Sequence, residues 1–201
     1  MSGRGRFIVF EGGDACGKST QAARLAAQLE ALLTRQPGGT SIGATLRRIV
    51  LDPANTMLGD RAEALLYAAD KAQHVHEVIE PALAAGRDVV CDRYVASSVV
   101  YQGAGRGLDQ SFLEQVLGWA TMQVEPDLVL LLEVPDDVMH QRLGAERDRL
   151  EALPAYFHER VREGFRELAA RDPHRWVVVD ASGTVDDVAG VVRDAVLARW
   201  P

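Results

Sequence analysis

An apolar run that ends in Gly-x-x-x-x-Gly-Lys-Ser and passes straight into a helix-forming stretch constrains this chain more than anything else in it: FIVFEGGDACGKST, Phe7 to Thr20. Phe7 to Phe10 reads as a buried parallel strand, and QAARLAAQLEALL after it carries Leu25, Leu29 and Leu32 at helical spacing. The letters alone also fit a glycine-rich turn with a chance lysine. A strand before and a helix after give them the setting of a phosphate-binding loop. Gly12, Gly13 and Gly17 let the main chain approach a phosphate, so that successive N–H groups share one concavity with the positive end of the helix dipole behind it. In that setting Lys18 reaches the outer phosphates of a nucleotide, and the Ser19 hydroxyl is a ligand of a phosphate-bound magnesium ion.

Short apolar runs recur between helical patterns: Phe7 to Phe10, Ala31 to Leu33, Val89 to Cys91, Leu128 to Leu132 and Trp176 to Val179. Such alternation predicts an α/β fold, a parallel five-stranded sheet with helices on both faces. Right-handed crossovers then gather the C-terminal strand ends along one edge, where Glu11 to Ser19, Arg35 to Thr40, Asp92 to Tyr94, Glu133 to Pro135 and Asp180 to Gly183 are expected. The second strand follows the first helix with almost no connection, although such loops usually take about 2 to 6 residues.

At 201 residues the chain suits one domain, 1–201, with a core large enough to need no disulfides. A net charge of -7 argues against a nucleic-acid or membrane-surface protein, which needs a broad positive field. Cys16 and Cys91 have neither the number nor the spacing of a metal site or a disulfide framework, which points to a reducing, cytoplasmic home. Cys16 reads as a small residue that fits a tight turn. No apolar run approaches the ~20 residues of a membrane span, and MSGRGR leads into a strand rather than a signal-peptide core.

Four further constellations narrow the chemistry. Arg35-Gln-Pro-Gly-Gly-Thr40 describes a second backbone turn at the same edge, and Arg35 or Arg47 can fork onto a second phosphate; each alone also reads as a solvated surface arginine. Helix Arg61 to His76 sets Tyr67 and Lys71 one turn apart, either a base-stacking ring beside a carbonyl-reading ammonium or a half-buried tyrosine with a snorkelling lysine. His74 and His76 point to different faces, against a joint metal site. Val89 to Gly107 ends a strand in Asp92, Arg93 and Tyr94; the carboxylate can hold magnesium and the arginine can offset phosphate charge. Tyr94, Ser97, Ser98 and Tyr101 continue at helix-like spacing, a run of hydroxyls expected to face one cavity. Gln141 to Glu151 interleaves Arg142, Arg147 and Arg149 with Glu146, Asp148 and Glu151, either a salt-bridged exposed helix face or a lid that brings cations over a γ-phosphate.

In this order the motifs FEGGDACGKST, TRQPGGT, EALLYAADKAQHV, CDRYVASSVVYQGAGRGLD, PDLVLLLEV and RDRLE closely resemble the thymidylate kinase family, from Phe7 to about Asp180. The resemblance implies a P-loop nucleoside monophosphate kinase fold with a short lid at about 141–151. It implies ATP-dependent, magnesium-assisted phosphorylation of dTMP to dTDP by a homodimeric cytoplasmic enzyme. Carried over residue by residue, it places Asp14 at the sugar 3'-hydroxyl, Tyr67 on thymine, Lys71 at the base-reading position, and Arg47 and Arg93 on the acceptor phosphate. Ser98 takes a base-contact position, and Tyr101 crowds a ribose 2'-hydroxyl. Arg35, Ser97 and Gln102 complete the expected acceptor set. The donor set is Gly12 through Thr20, that is Gly12, Gly13, Asp14, Ala15, Cys16, Gly17, Lys18, Ser19 and Thr20, with Arg142, Ala181 and Ser182 toward adenine. Lys18, Arg93, Arg147 and Arg149 are the expected catalytic cations, and Ser19 and Asp92 the expected magnesium ligands.

The chain departs from the family pattern at Lys71, usually arginine, at Gln36, usually glutamate, and at Ala15, usually glycine; the segment before Ala31 and the lid are also short. Ala15 adds no basic side chain to the phosphate loop, so the lid arginines are expected to supply that charge. Two rival readings remain at this level: a related kinase with another acceptor, such as dUMP, and a regulator that binds ATP without transferring phosphate.

Overall fold

Strand β1 (Phe7–Glu11) is buried along its whole length, at the centre of a five-stranded parallel sheet of order β2-β3-β1-β4-β5. In the computed structural model, which describes residues 3–142 and 147–200, β2 is Leu32–Arg35, β3 Val89–Asp92, β4 Leu128–Glu133 and β5 Trp176–Asp180. The near-continuous apolar runs are explained by cover on both faces. Ile8 and Phe10 face Leu25 and Ala26 of α1 (Lys18–Leu29) and Val188, Val192 and Val196 of α9 (Val185–Arg199). Phe7 and Val9 point the other way, toward Val75, Ile79, Leu83 and Tyr94.

The second strand corrects the sequence reading. α1 stops at Leu29 because Glu30 turns left-handed (φ 53) and, like Ala31, sends its N–H to Ala26 O. Leu32 therefore belongs to β2 rather than to the helix face, and two residues make the connection. The strand runs to Arg35, two residues beyond the expected Leu33, and carries Arg35 to the functional edge.

Between β2 and β3 lie α2 (Ser41–Leu51), α3 (Asp60–His74), a π-helical turn Val75–Ile79 and α4 (Glu80–Ala84). His74 is buried and His76 exposed, on different faces as the spacing required. After β3 come α5 (Val95–Ser98), a second π-helical stretch Val99–Gly105 and α6 (Gln110–Ala120). α7 (Asp136–Arg142) and α8 (Ala155–Arg171) follow β4. Residues 143–146 of the expected lid, Glu146 among them, lie outside the described residues. Among the described residues no helix is long and apolar enough to cross a membrane.

Candidate active site

The phosphate loop between β1 and α1 takes its form from two glycines. A Cβ on Gly12 (φ 140) would stand 2.4 Å from Leu132 O on the neighbouring strand, and Gly17 (φ 94) begins the helix in a left-handed conformation. Ala15 is also left-handed, at φ 56, the strain that glycine would relieve. Lys18 folds back so that its Nζ donates to Gly13 O and lies 3.5 Å from Cys16 Sγ, while Cys16 is buried within the turn. Beside the loop, Ser19 Oγ donates to Asp92 Oδ2 at 2.5 Å, and Asp92 Oδ1 is buried with no hydrogen-bond partner. Two hard oxygen ligands, one of them unsatisfied, fit a magnesium ion whose other ligands are phosphate oxygens and water. No cluster of three or more His, Cys, Asp or Glu able to hold a metal occurs among the described residues.

Arg93 stands at the centre. It leaves β3 in the left-handed region (φ 68), a strained conformation for a residue other than glycine. Glu11, fully buried at the end of β1, holds this turn: Oε1 accepts from Tyr94 N (2.9 Å) and Ser97 N (3.1 Å), and Oε2 from Ser97 Oγ (2.6 Å). The Arg93 guanidinium then donates to Gly12 O (2.9 Å), Ser97 Oγ (3.1 Å), Asp14 (2.5 Å) and Tyr101 Oη (3.3 Å). Burial pulls its pKa down, but Tyr101 and the carboxylates of Asp14, Asp92 and Glu11 outweigh this, and it stays charged. Burial likewise raises the Asp14 pKa, and Arg93 and Lys18 more than reverse it, so Asp14 is held below its ordinary value as a carboxylate. The Tyr101 hydroxyl donates to the same carboxylate at 3.1 Å.

These groups open on a cavity of about 260 Å³. Every residue of the expected acceptor set lines it: Asp14, Arg35, Arg47, Tyr67, Lys71, Arg93, Ser97, Ser98, Tyr101 and Gln102. Lys18 and Ser19 of the phosphate loop reach it too. Lys71 is 1% exposed, with Nζ 5.7 Å from the Tyr67 ring centroid. Burial pushes its pKa down against the pull of Asp70 and Glu11. Burial and the neighbouring Arg35 depress Arg47, as expected of two cations crowded where an anion belongs. Tyr94 is a correction: its hydroxyl donates to Val124 O and its ring packs edge-on against Phe7, so it faces the core rather than the cavity. A tyrosine two residues nearer the strand than Ala96 follows the sheet, not the helix periodicity.

The lid arginines are divided. Arg142, at the end of α7, donates to Ala181 O at 3.1 Å, next to Ser182. Arg147 is exposed. Arg149 turns toward α2 and α3, where Nε donates to Val50 O (2.8 Å) and Nη2 to the buried carboxylate of Glu63. Asp148, Leu150 and Glu151 of the same turn line the cavity. Thr20 is exposed on α1.

The supporting roles of three residues of this region escaped the sequence reading: Glu11, Glu63 and His74. A charged residue closing an apolar strand, and an acidic residue at position i of the i, i+4, i+8 series Glu63, Tyr67, Lys71, were the available signals. His74 sits behind the cavity with Nε2 2.6 Å from Thr34 Oγ1 and Nδ1 2.9 Å from Gln36 Nε2. Burial, with Lys71 nearby, lowers the His74 pKa to about 4. The unfolded chain binds this proton near pH 6.5 and the folded chain does not, so stability is lost as pH falls from 6.5 through 4, by about 3 kcal/mol in all. Urea titrations across that range should show this slope in the wild type and its flattening in His74→Gln; equal slopes would contradict it.

A sequence model described as thymidylate kinase matches residues 10–191. A thymidylate kinase of Cutibacterium acnes is 46% identical over 197 residues, covering 96% of both chains. One of Leifsonia xyli is 49% identical, covering 94% of this chain and 93% of its own. The crystal structure of thymidylate kinase from Ehrlichia chaffeensis superposes with a TM-score of 0.80 at 30% identity, covering 96% of this chain and 99% of the other.

Proposed function

The chain belongs to the thymidylate kinase family, and from that membership we propose that it moves the γ-phosphoryl group of ATP onto the 5'-phosphate of dTMP, giving dTDP. The observation that carries this reading is the single cavity in which Lys18 and Ser19 meet Tyr67, Lys71, Ser98 and Gln102 across Arg93. A regulator that only held ATP would have no use for the second set.

Transfer here is in-line, and it rests on positioning and charge neutralisation rather than on covalent chemistry. The loop amides and Lys18 hold the donor triphosphate, with Arg142, Ala181 and Ser182 flanking its adenine end. Ser19 and Asp92 would hold magnesium, which supplies charge neutralisation to the phosphates. Arg35 and Arg47 grip the acceptor phosphate, whose oxygen needs no general base because it is already anionic near neutral pH. Arg93 spans donor and acceptor. Tyr67 stacks on the base, Lys71 donates to a ring carbonyl, Asp14 accepts from the 3'-hydroxyl, and Tyr101 stands where a 2'-hydroxyl would intrude. Arg147, exposed on the lid, is the cation assigned to the donor in this reading, and Arg149, bonded to Val50 O and Glu63, secures the lid on the acceptor side.

A homodimer and a cytoplasmic setting complete the reading. Leu65, Phe112 and Trp119 are 61%, 64% and 82% exposed on α3 and α6, an apolar area suited to a second copy, and both cysteines are free. ADP release coupled to NADH oxidation, measured with dTMP, dUMP, CMP and AMP, tests the assignment. dTMP is expected to give the highest kcat/KM, and equal rates for all four would remove it.

A further inference from the structure

Glu63 lies on α3 with its side chain fully buried. A carboxylate in that position is tenable only when donors surround it. Gln102 Nε2 donates to Oε1 at 2.8 Å, Arg106 donates to both oxygens (3.3 and 2.9 Å), and Arg149 Nη2 donates to Oε2. Burial raises the Glu63 pKa, but these donors more than reverse the effect. Two of its partners belong to the cavity: Gln102 lines it directly, and Arg149 sits in the turn whose Asp148, Leu150 and Glu151 also line it.

We infer that Glu63 is a positioning residue that sets the direction of the Gln102 amide for base discrimination and ties the Arg149 turn over the acceptor. This rests on the acceptor-pocket reading above. An ionised carboxylate only accepts, so Gln102 must present its NH2 to Glu63 and its carbonyl is left for the cavity. That carbonyl accepts a ring N–H, as thymine and uracil offer at N3, and is mismatched to the bare N3 lone pair of cytosine. The second oxygen holds Arg149, whose Nε and main-chain N–H bond Val50 O and Leu51 O at the end of α2. One buried group therefore joins base recognition to closure of the pocket wall.

Glu63→Gln separates the two duties. The new amide turns its oxygen to the two arginines, the stronger donors, and its NH2 to Gln102, which must flip and present its own NH2 to the base. The kcat/KM ratio of dTMP to dCMP should fall about tenfold, roughly the worth of one hydrogen bond mismatched in a buried site. The ratio of dTMP to dUMP should stay within about twofold, because both bases share the N3–H edge. General loosening of the pocket would not divide the two ratios in this way. A dTMP-to-dCMP ratio unchanged in a folded Glu63→Gln protein overturns the inference. Should that variant not fold, a double-mutant cycle of Gln102→Met and Arg149→Lys on the KM for dTMP decides it. Among the described residues these two side chains are bonded to each other through Glu63 alone, so coupling above about threefold supports the bridge and multiplicative effects overturn it. Wild-type enzyme that failed to turn over dTMP would instead refute the kinase assignment, a distinct result.

Discussion

Arg93→Ala is expected to lower kcat about a thousandfold at saturating ATP and dTMP, in the range that a cation bridging a transferring phosphoryl group contributes. The side chain contacts both the phosphate loop, through Gly12 O and Asp14, and the acceptor wall, through Ser97 and Tyr101. Its charge is maintained despite burial, so it meets developing phosphate charge without reorganising. Arg93→Lys should recover little, because a single ammonium cannot serve acceptors in four directions. The ADP-release assay, with circular dichroism to confirm folding, reads the effect. A kcat within tenfold of wild type would exclude Arg93 from the transfer step.

Glu11→Leu is expected to destabilise the protein by about 3 to 5 kcal/mol, visible as a lower urea midpoint at unchanged slope. Leucine fills a similar space but leaves the N–H groups of Tyr94 and Ser97 and the Ser97 hydroxyl buried without their acceptor. Each such orphan costs about 1 to 3 kcal/mol. Glu11→Gln keeps one acceptor oxygen and should lose roughly half as much by the same reckoning. The effect reaches function through Arg93. Its left-handed backbone persists because Glu11 pins the next residue's N–H, so a folded Glu11→Gln enzyme should also lose kcat. A midpoint shift below about 1 kcal/mol in Glu11→Leu would contradict this account.

Much of the fold was legible because its signals are local. Five apolar runs, a glycine-rich loop and helical periodicity lie in consecutive residues, and the structure differs from them chiefly at Leu32, where a helix face and a strand compete for the same leucine. A left-handed Glu30 decides that competition, and no pattern in LEALLTR announces it. Tyr94 shows the same limit: a hydroxyl beside Arg93 in sequence was drawn toward the cavity, yet the side chain follows the strand-end geometry into the core.

The residues expected at the acceptor were nameable one by one from their motifs, and all of them line a common cavity. How they are held was not nameable. Glu11 supports residues 83 and 86 positions away, His74 orients Gln36 from 38 positions away, and Glu63 bridges to Gln102 and Arg149, 39 and 86 positions distant. Composition and motif thus determined a parallel sheet, a phosphate loop and the kinds of groups at its edge, since those depend on neighbours in the chain. Only the tertiary structure decided which buried charges meet and which arginine of the lid turns in to Glu63. A buried carboxylate selects its partners by the cost of being left without them, and that cost is set by whatever chain segments the fold brings within hydrogen-bond reach.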